Sequence, residues 1–153
     1  MVLLAAVNPF DLRSLVMAKH AQHVVLIHFP IALFISGVAF DLFSRGKRAS
    51  QLASAAYLNL SIAAVSVFPV VATGLLAWQF ALEGERIKGL LLLHMIAASF
   101  GALFVIASWL IHWQARKSDS SPLPQYRIPV ELLGVATIAL AAHLGGFLSG
   151  VNT

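Results

Sequence analysis

Four apolar runs, each long enough or nearly so to cross a lipid hydrocarbon core, leave this chain few ways to fold. They extend from about His23 to Phe43, Leu52 to Leu82, Ile87 to Trp113 and Pro129 to Ser149, where roughly 20 apolar residues make a span. The breaks between them carry the charge. Ser44-Arg45-Gly46-Lys47-Arg48 separates the first two, Glu83-Gly84-Glu85-Arg86-Ile87-Lys88 the next two, and Gln114 to Ile128, with Pro122 and Pro124, the last two. Such clusters of Gly, Pro and charge end helices and start loops. Only 10% of the chain is charged and 59% is hydrophobic, against roughly one-quarter charged in an ordinary soluble domain. The expected fold class is all-α, an integral membrane four-helix bundle with lipid as its main partner.

With 153 residues committed to four spans, no separate soluble catalytic domain fits, so any chemistry belongs inside the bundle or at its rim. Residues 20–153 are expected to form one four-transmembrane-helix domain. Residues 1–19 form a separate N-terminal segment. They lack the basic start and small-residue cleavage site of a secretion signal. Asn8-Pro9 instead suggests an N-cap and a first-turn proline, and Phe10, Leu12, Leu15 and Val16 set against Asp11, Arg13 and Ser14 suggest a short interfacial helix. The chain has no cysteine, which excludes disulfides, thiolate-ligated iron–sulfur clusters and covalently attached c-type haem.

Orientation follows from Lys and Arg. The first and third loops hold Arg45, Lys47, Arg48, Arg116, Lys117 and Arg127, whereas the N-terminal segment and middle loop hold Arg13, Lys19, Arg86 and Lys88 beside Glu83 and Glu85. The positive-inside rule then puts both termini outside. Trp109, Trp113 and Tyr126 fall in the inner interfacial belt and Trp78 near the outer one.

In this frame four of the six histidines converge in depth. At about 1.5 Å per residue, His28 lies about 7–12 Å along the first span, His94 about 10 Å beyond the Arg86–Lys88 loop, and His143 about 10 Å before Gly150, all measured from the outer face. His23 is nearer the surface. His112, eighteen residues past His94, shares its azimuth but sits about 27 Å further along, which assigns it to the cytoplasmic rim. His20 belongs at the outer boundary.

An intramembrane imidazole is either hydrogen-bonded glue between helices or a ligand. Three spans contributing to one level favour ligation by His23, His28, His94 and His143. A dinuclear carboxylate centre is not expected, because Asp41 and Glu131 lie at the opposite, cytoplasmic ends. Imidazole without carboxylate or thiolate leaves haem, copper or zinc. Haem accommodates the neighbours: Gly74, Gly101, Gly145 and Gly146 offer room for a flat macrocycle, Phe29, Phe147 and Trp78 offer faces to pack on it, and Arg86 and Lys88 lie where propionates would end. His23 and His28, five residues apart, point about 140° apart on a helix. They cannot both ligate one iron. Two bis-histidine haems would use all four rings, whereas one haem would pair His28 with His94 or His143.

The same residues resemble a known family. His23-Val24-Val25-Leu26-Ile27-His28-Phe29-Pro30-Ile31-Ala32-Leu33, then Asp41-Leu42, Gly74, His94 and His143-Leu144-Gly145-Gly146, are similar to the pattern of the small prokaryotic membrane proteins grouped as domain of unknown function 2231. The similarity extends over about Ala21 to Val151. Val24 stands where that pattern has proline, and Ile27 where it has valine. The resemblance implies four membrane helices, histidines set as a b-type haem site requires, and a setting in electron transfer.

The expectation is therefore a b-type cytochrome with one or two haems b near the outer face of a prokaryotic inner membrane. It would act as a subunit or relay of a membrane redox complex, exchanging electrons with quinol or exported cytochrome c, rather than as a stand-alone enzyme. A cofactor-free anchor or assembly subunit, and a histidine-based copper or zinc site, are the alternatives. Proton pumping is not expected, because no carboxylate or lysine occupies the middle of a span. Nothing in the loop charges suggests nucleic acid.

Overall fold

A computed structural model of the chain describes residues 19–44, 49–84, 86–118 and 122–149. Its helices are α1 (Lys19–Leu26), α2 (His28–Phe43), α3 (Ala49–Ala81), α4 (Gly89–Lys117) and α5 (Arg127–Leu148). No strand occurs among the described residues. Four segments are long and apolar enough to cross a membrane: Gln22–Phe43, Ala49–Phe80, Gly89–Lys117 and Arg127–Leu148. The expected N-terminal interfacial helix lies outside the described residues.

The first span is built from α1 and α2, which meet at Ile27. Pro30 has no N–H to give Leu26, so the ladder loses a bond there. The chain nevertheless continues in helical conformation, with Ile27 at φ −59° and ψ −27°. Ile27 N–H donates to the His23 carbonyl at 3.0 Å, and Ile31 N–H to the Ile27 carbonyl at 3.3 Å. At the far end of the second span, Glu83 and Gly84 turn left-handed with φ 50° and 63°. Leu82 N–H reaches the Ala77 carbonyl at 3.2 Å, a six-to-one bond of the kind by which a helix closes its last carbonyls, and Gly84 N–H reaches the Trp78 carbonyl at 3.1 Å.

Two helix pairs make the bundle: α4 with α5, and α2 with α3, while α1 lies on α3. The contact of α3 with α4 and a smaller one between α2 and α5 join the pairs. Phe34 and Val38 of α2, Leu60, Ala63, Ala64 and Val67 of α3, Val105 of α4 and Ile138 of α5 form the core. Glycine sets the spacing between helices. A Cβ on Gly134 would stand 2.8 Å from Phe34 Cζ, and one on Gly37 or Gly101 would stand 3.1 Å from Leu60 or Ile138. Lipid is as apolar as leucine, so close packing and interhelical hydrogen bonds, rather than escape from water, hold such helices together. The outward surface is accordingly apolar, with Leu58, Val65, Phe68, Leu103 and Leu133 among many exposed side chains.

Candidate functional site

The described histidines separate into two groups at opposite ends of the bundle. At the end formed by α1, the last turns of α3 and α5 and the start of α4, His23 and His94 are each half-buried against a neighbouring helix. His23 Nδ1 lies 3.3 Å from Thr73 Oγ1. The Thr73 hydroxyl is itself within donating distance of the Pro69 and Val70 carbonyls, at 2.9 and 3.0 Å. With the hydroxyl proton committed there, the imidazole Nδ1–H is the donor to Thr73. His94 Nδ1–H donates to the Ala141 carbonyl at 2.9 Å, and His28 Nδ1–H donates to the Val24 carbonyl at 2.7 Å. A carbonyl can only accept, so in the neutral rings of His28 and His94 the lone pair resides on Nε2.

Glycine seats two of these rings. A Cβ on Gly74 would stand 2.9 Å from His23 Cε1, and a Cβ on Gly145 would stand 3.2 Å from His94 Cε1. The room that the sequence suggested for a macrocycle at these two positions is where imidazoles pack, and Gly101 faces Ile138. His28 and His143 are exposed, as are Phe29 and Phe147. The His143 ring meets Phe147 edge to face, with centroids 5.0 Å apart. Trp78 and Gly146 are half-buried. Arg86 and Lys88 are exposed and, with Leu90, Leu91 and Leu148, line an open hollow of about 370 Å³ at this end. No three of the four histidines bring ligand nitrogens within reach of a single ion.

The opposite end holds a group that sequence reasoning did not assemble. His112, expected at the rim, is 3% exposed, and Asp41 and Glu131 are 0% exposed. The azimuth that His112 shares with His94 faces α5, so the ring points inward to Glu131 as His94 points to Ala141. Its Nε2–H donates to Glu131 Oε1 at 2.8 Å and lies 3.9 Å from Asp41 Oδ1. Arg127 Nε donates to Asp41 Oδ2 at 2.8 Å, and Arg127 Nη1 donates to the Pro124 carbonyl at 3.3 Å. Polar groups that lipid would expel are thus paired with one another across α2, α4 and α5. A signal for this was present. Ser108 and His112, and Arg127 and Glu131, are each four apart on one helical face, and Asp41 is the one acid in its span. Asp41, His112 and Glu131 all fall at the same end of their spans by sequence position.

Trp109 and Trp113 stack with centroids 6.1 Å apart, Arg116 lies over the Tyr57 ring at 4.2 Å, and Lys117 lies over Trp113 at 4.8 Å. Aromatic and basic side chains mark the boundary of the hydrocarbon region.

Fold and surface define an all-α membrane protein of four spans. The chain belongs to the family described as predicted membrane protein DUF2231, whose profile matches residues 19–151. No curated protein and no solved structure matches it.

Proposed function

We propose that this protein is a membrane-integral b-type cytochrome, an electron-transfer subunit with bis-histidine haem ligation. The observation that carries the reading is the fixed tautomer of His28 and His94. Each spends its Nδ1–H on a backbone carbonyl, the arrangement that orients a ligating histidine and raises the basicity of its other nitrogen. His28 on the first span and His94 on the third would hold a haem through those nitrogens, whereas a copper or zinc site commonly gathers three or four protein ligands around one ion.

Gly145 lets the His94 ring lie close to α5, and the exposed Arg86 and Lys88 would supply cations at the rim for propionates. Haem, when bound, supplies reversible one-electron chemistry. The chain's own part is to hold the imidazoles, to limit water by apolar packing and to place the centre near one membrane face. On the Lys and Arg distribution we assign that face to the outside of a prokaryotic inner membrane, with other redox subunits, quinol or exported cytochrome c as exchange partners.

A second reading rests on the same bonds. His94 to Ala141 on α5, and His23 to Thr73 on α3, tie helices together with no cofactor, as an anchor or assembly subunit requires. A pyridine haemochrome assay on detergent-purified protein, made with ample haem, separates the two. A b-type band with one or two haems per chain is expected. A colourless, well-folded protein would replace the cytochrome reading with the anchor.

A further inference from the structure

We infer that Asp41, His112 and Glu131 form a site for a divalent first-row transition-metal ion, at the end of the bundle away from the haem-type histidines. Each comes from a different span, and one ligand atom from each lies within 4.8 Å of the others. Two ligands about 2.1 Å from a common ion are roughly 3.0 Å apart at right angles and roughly 4.2 Å apart on opposite sides. The separations of His112 Nε2 from Glu131 Oε1, 2.8 Å, and from Asp41 Oδ1, 3.9 Å, need only tenths of an ångström to match that range. Two carboxylates with one imidazole form a donor set for manganese, iron or zinc, and the absence of thiolate disfavours Cu(I).

A second observation points to a ligand. Asp41 Oδ1, Glu131 Oε2 and Ser108 Oγ are buried and have no hydrogen-bond partner among the described residues. Asp41 Oδ1 faces into the group, towards His112 Nε2. Leaving a buried polar atom unsatisfied is costly, and carboxylate oxygens accept only, so what completes them is a cation or a donor. Ser108 is unlike its counterparts. The hydroxyls of Ser36, Ser61, Ser66, Ser99, Thr73 and Thr137 all bond the carbonyl four residues back, whereas that of Ser108, one turn before His112, does not. Charge agrees in sign: two carboxylates stand against one guanidinium. Arg127 holds Asp41 by Oδ2 and so aims Oδ1 at the site, as an outer partner orients a ligand. The competing occupant is the proton now shared by His112 and Glu131, which the metal would displace.

The test is Zn2+ titration of the full-length, chelator-treated protein in detergent, with bound metal counted after desalting. One Zn2+ per chain is expected, with affinity at least tenfold lower in His112→Gln and Asp41→Asn and unchanged in His28→Ala. No stoichiometric binding to the unaltered protein would overturn the site, as would an affinity in His112→Gln and Asp41→Asn equal to that of the unaltered protein. Should those variants fail to fold, Co2+ on the unaltered protein decides. A ligand-field absorption displaced by one equivalent of Zn2+ supports the site, and its absence contradicts it.

Discussion

The two ends of this bundle handle polar groups in opposite ways. At one end, His28 and His94 each donate to a backbone carbonyl and His23 lies against the Thr73 hydroxyl, while His28 and His143 are exposed. At the other, two carboxylates, an imidazole and a guanidinium from three spans are gathered into a sealed network. The cost of burial explains the contrast. A neutral imidazole needs one partner, whereas a charge in lipid needs its opposite at contact distance. The first end therefore retains nitrogens available to an external group, and the second gains fixed helix registry. Electron transfer on one side and cation binding on the other would follow from that division.

The comparison breaks most sharply on ligand removal. His94→Ala and His28→Ala should each abolish haem binding, with fold retained by circular dichroism, while His112→Gln leaves haem content unchanged. Equal loss in all three would dissolve the distinction between the ends.

Stability should show the reverse sensitivity. Arg127→Leu strands the Asp41 charge in a buried site and should destabilise by about 3–5 kcal/mol, measured by thermal or denaturant unfolding in detergent. The double variant Asp41→Leu with Arg127→Leu should recover most of that loss, since paired burial is close to neutral against apolar packing. A double variant as unstable as the single one would show that packing, not charge, sets the cost.

Glycine substitutions sharpen the contrast with a smaller effect. Gly134→Leu must push Phe34, whose ring is already fully buried, and should cost about 1–3 kcal/mol by overpacking. Gly145→Leu should instead displace the His94 ring and lower haem occupancy with little change in unfolding. The serines bring the smallest effect. Ser108→Ala removes an unpartnered buried hydroxyl and should stabilise metal-free protein by up to about 1 kcal/mol, whereas Ser99→Ala should stay within about 0.5 kcal/mol.

Much of this architecture was legible because lipid imposes a length rule. Span limits read from apolar runs fall within a few residues of those observed at Phe43 and at Gly89; the last span begins at Arg127 rather than Pro129 because a charged residue with a buried partner costs the helix little. Position along a span follows from the fixed rise per residue; facing partners do not. That Gly74 seats His23, that Gly145 seats His94 and that His112 turns inward depend on helix rotation and pairing, which hydropathy periodicity leaves weak when lipid and core are both apolar. Charge is the stronger guide to facing partners. In a span, Asp41 and Glu131 required partners, and the sequence held only a few side chains at matching depth.

The most direct test of the central claim is electron paramagnetic resonance of the oxidised, detergent-purified protein beside its His94→Ala and His112→Gln variants. The account predicts a low-spin ferric signal of bis-imidazole haem in the unaltered protein and in His112→Gln, lost or converted to high spin in His94→Ala. A signal that survives His94→Ala unchanged, or no haem iron in any sample, would contradict it.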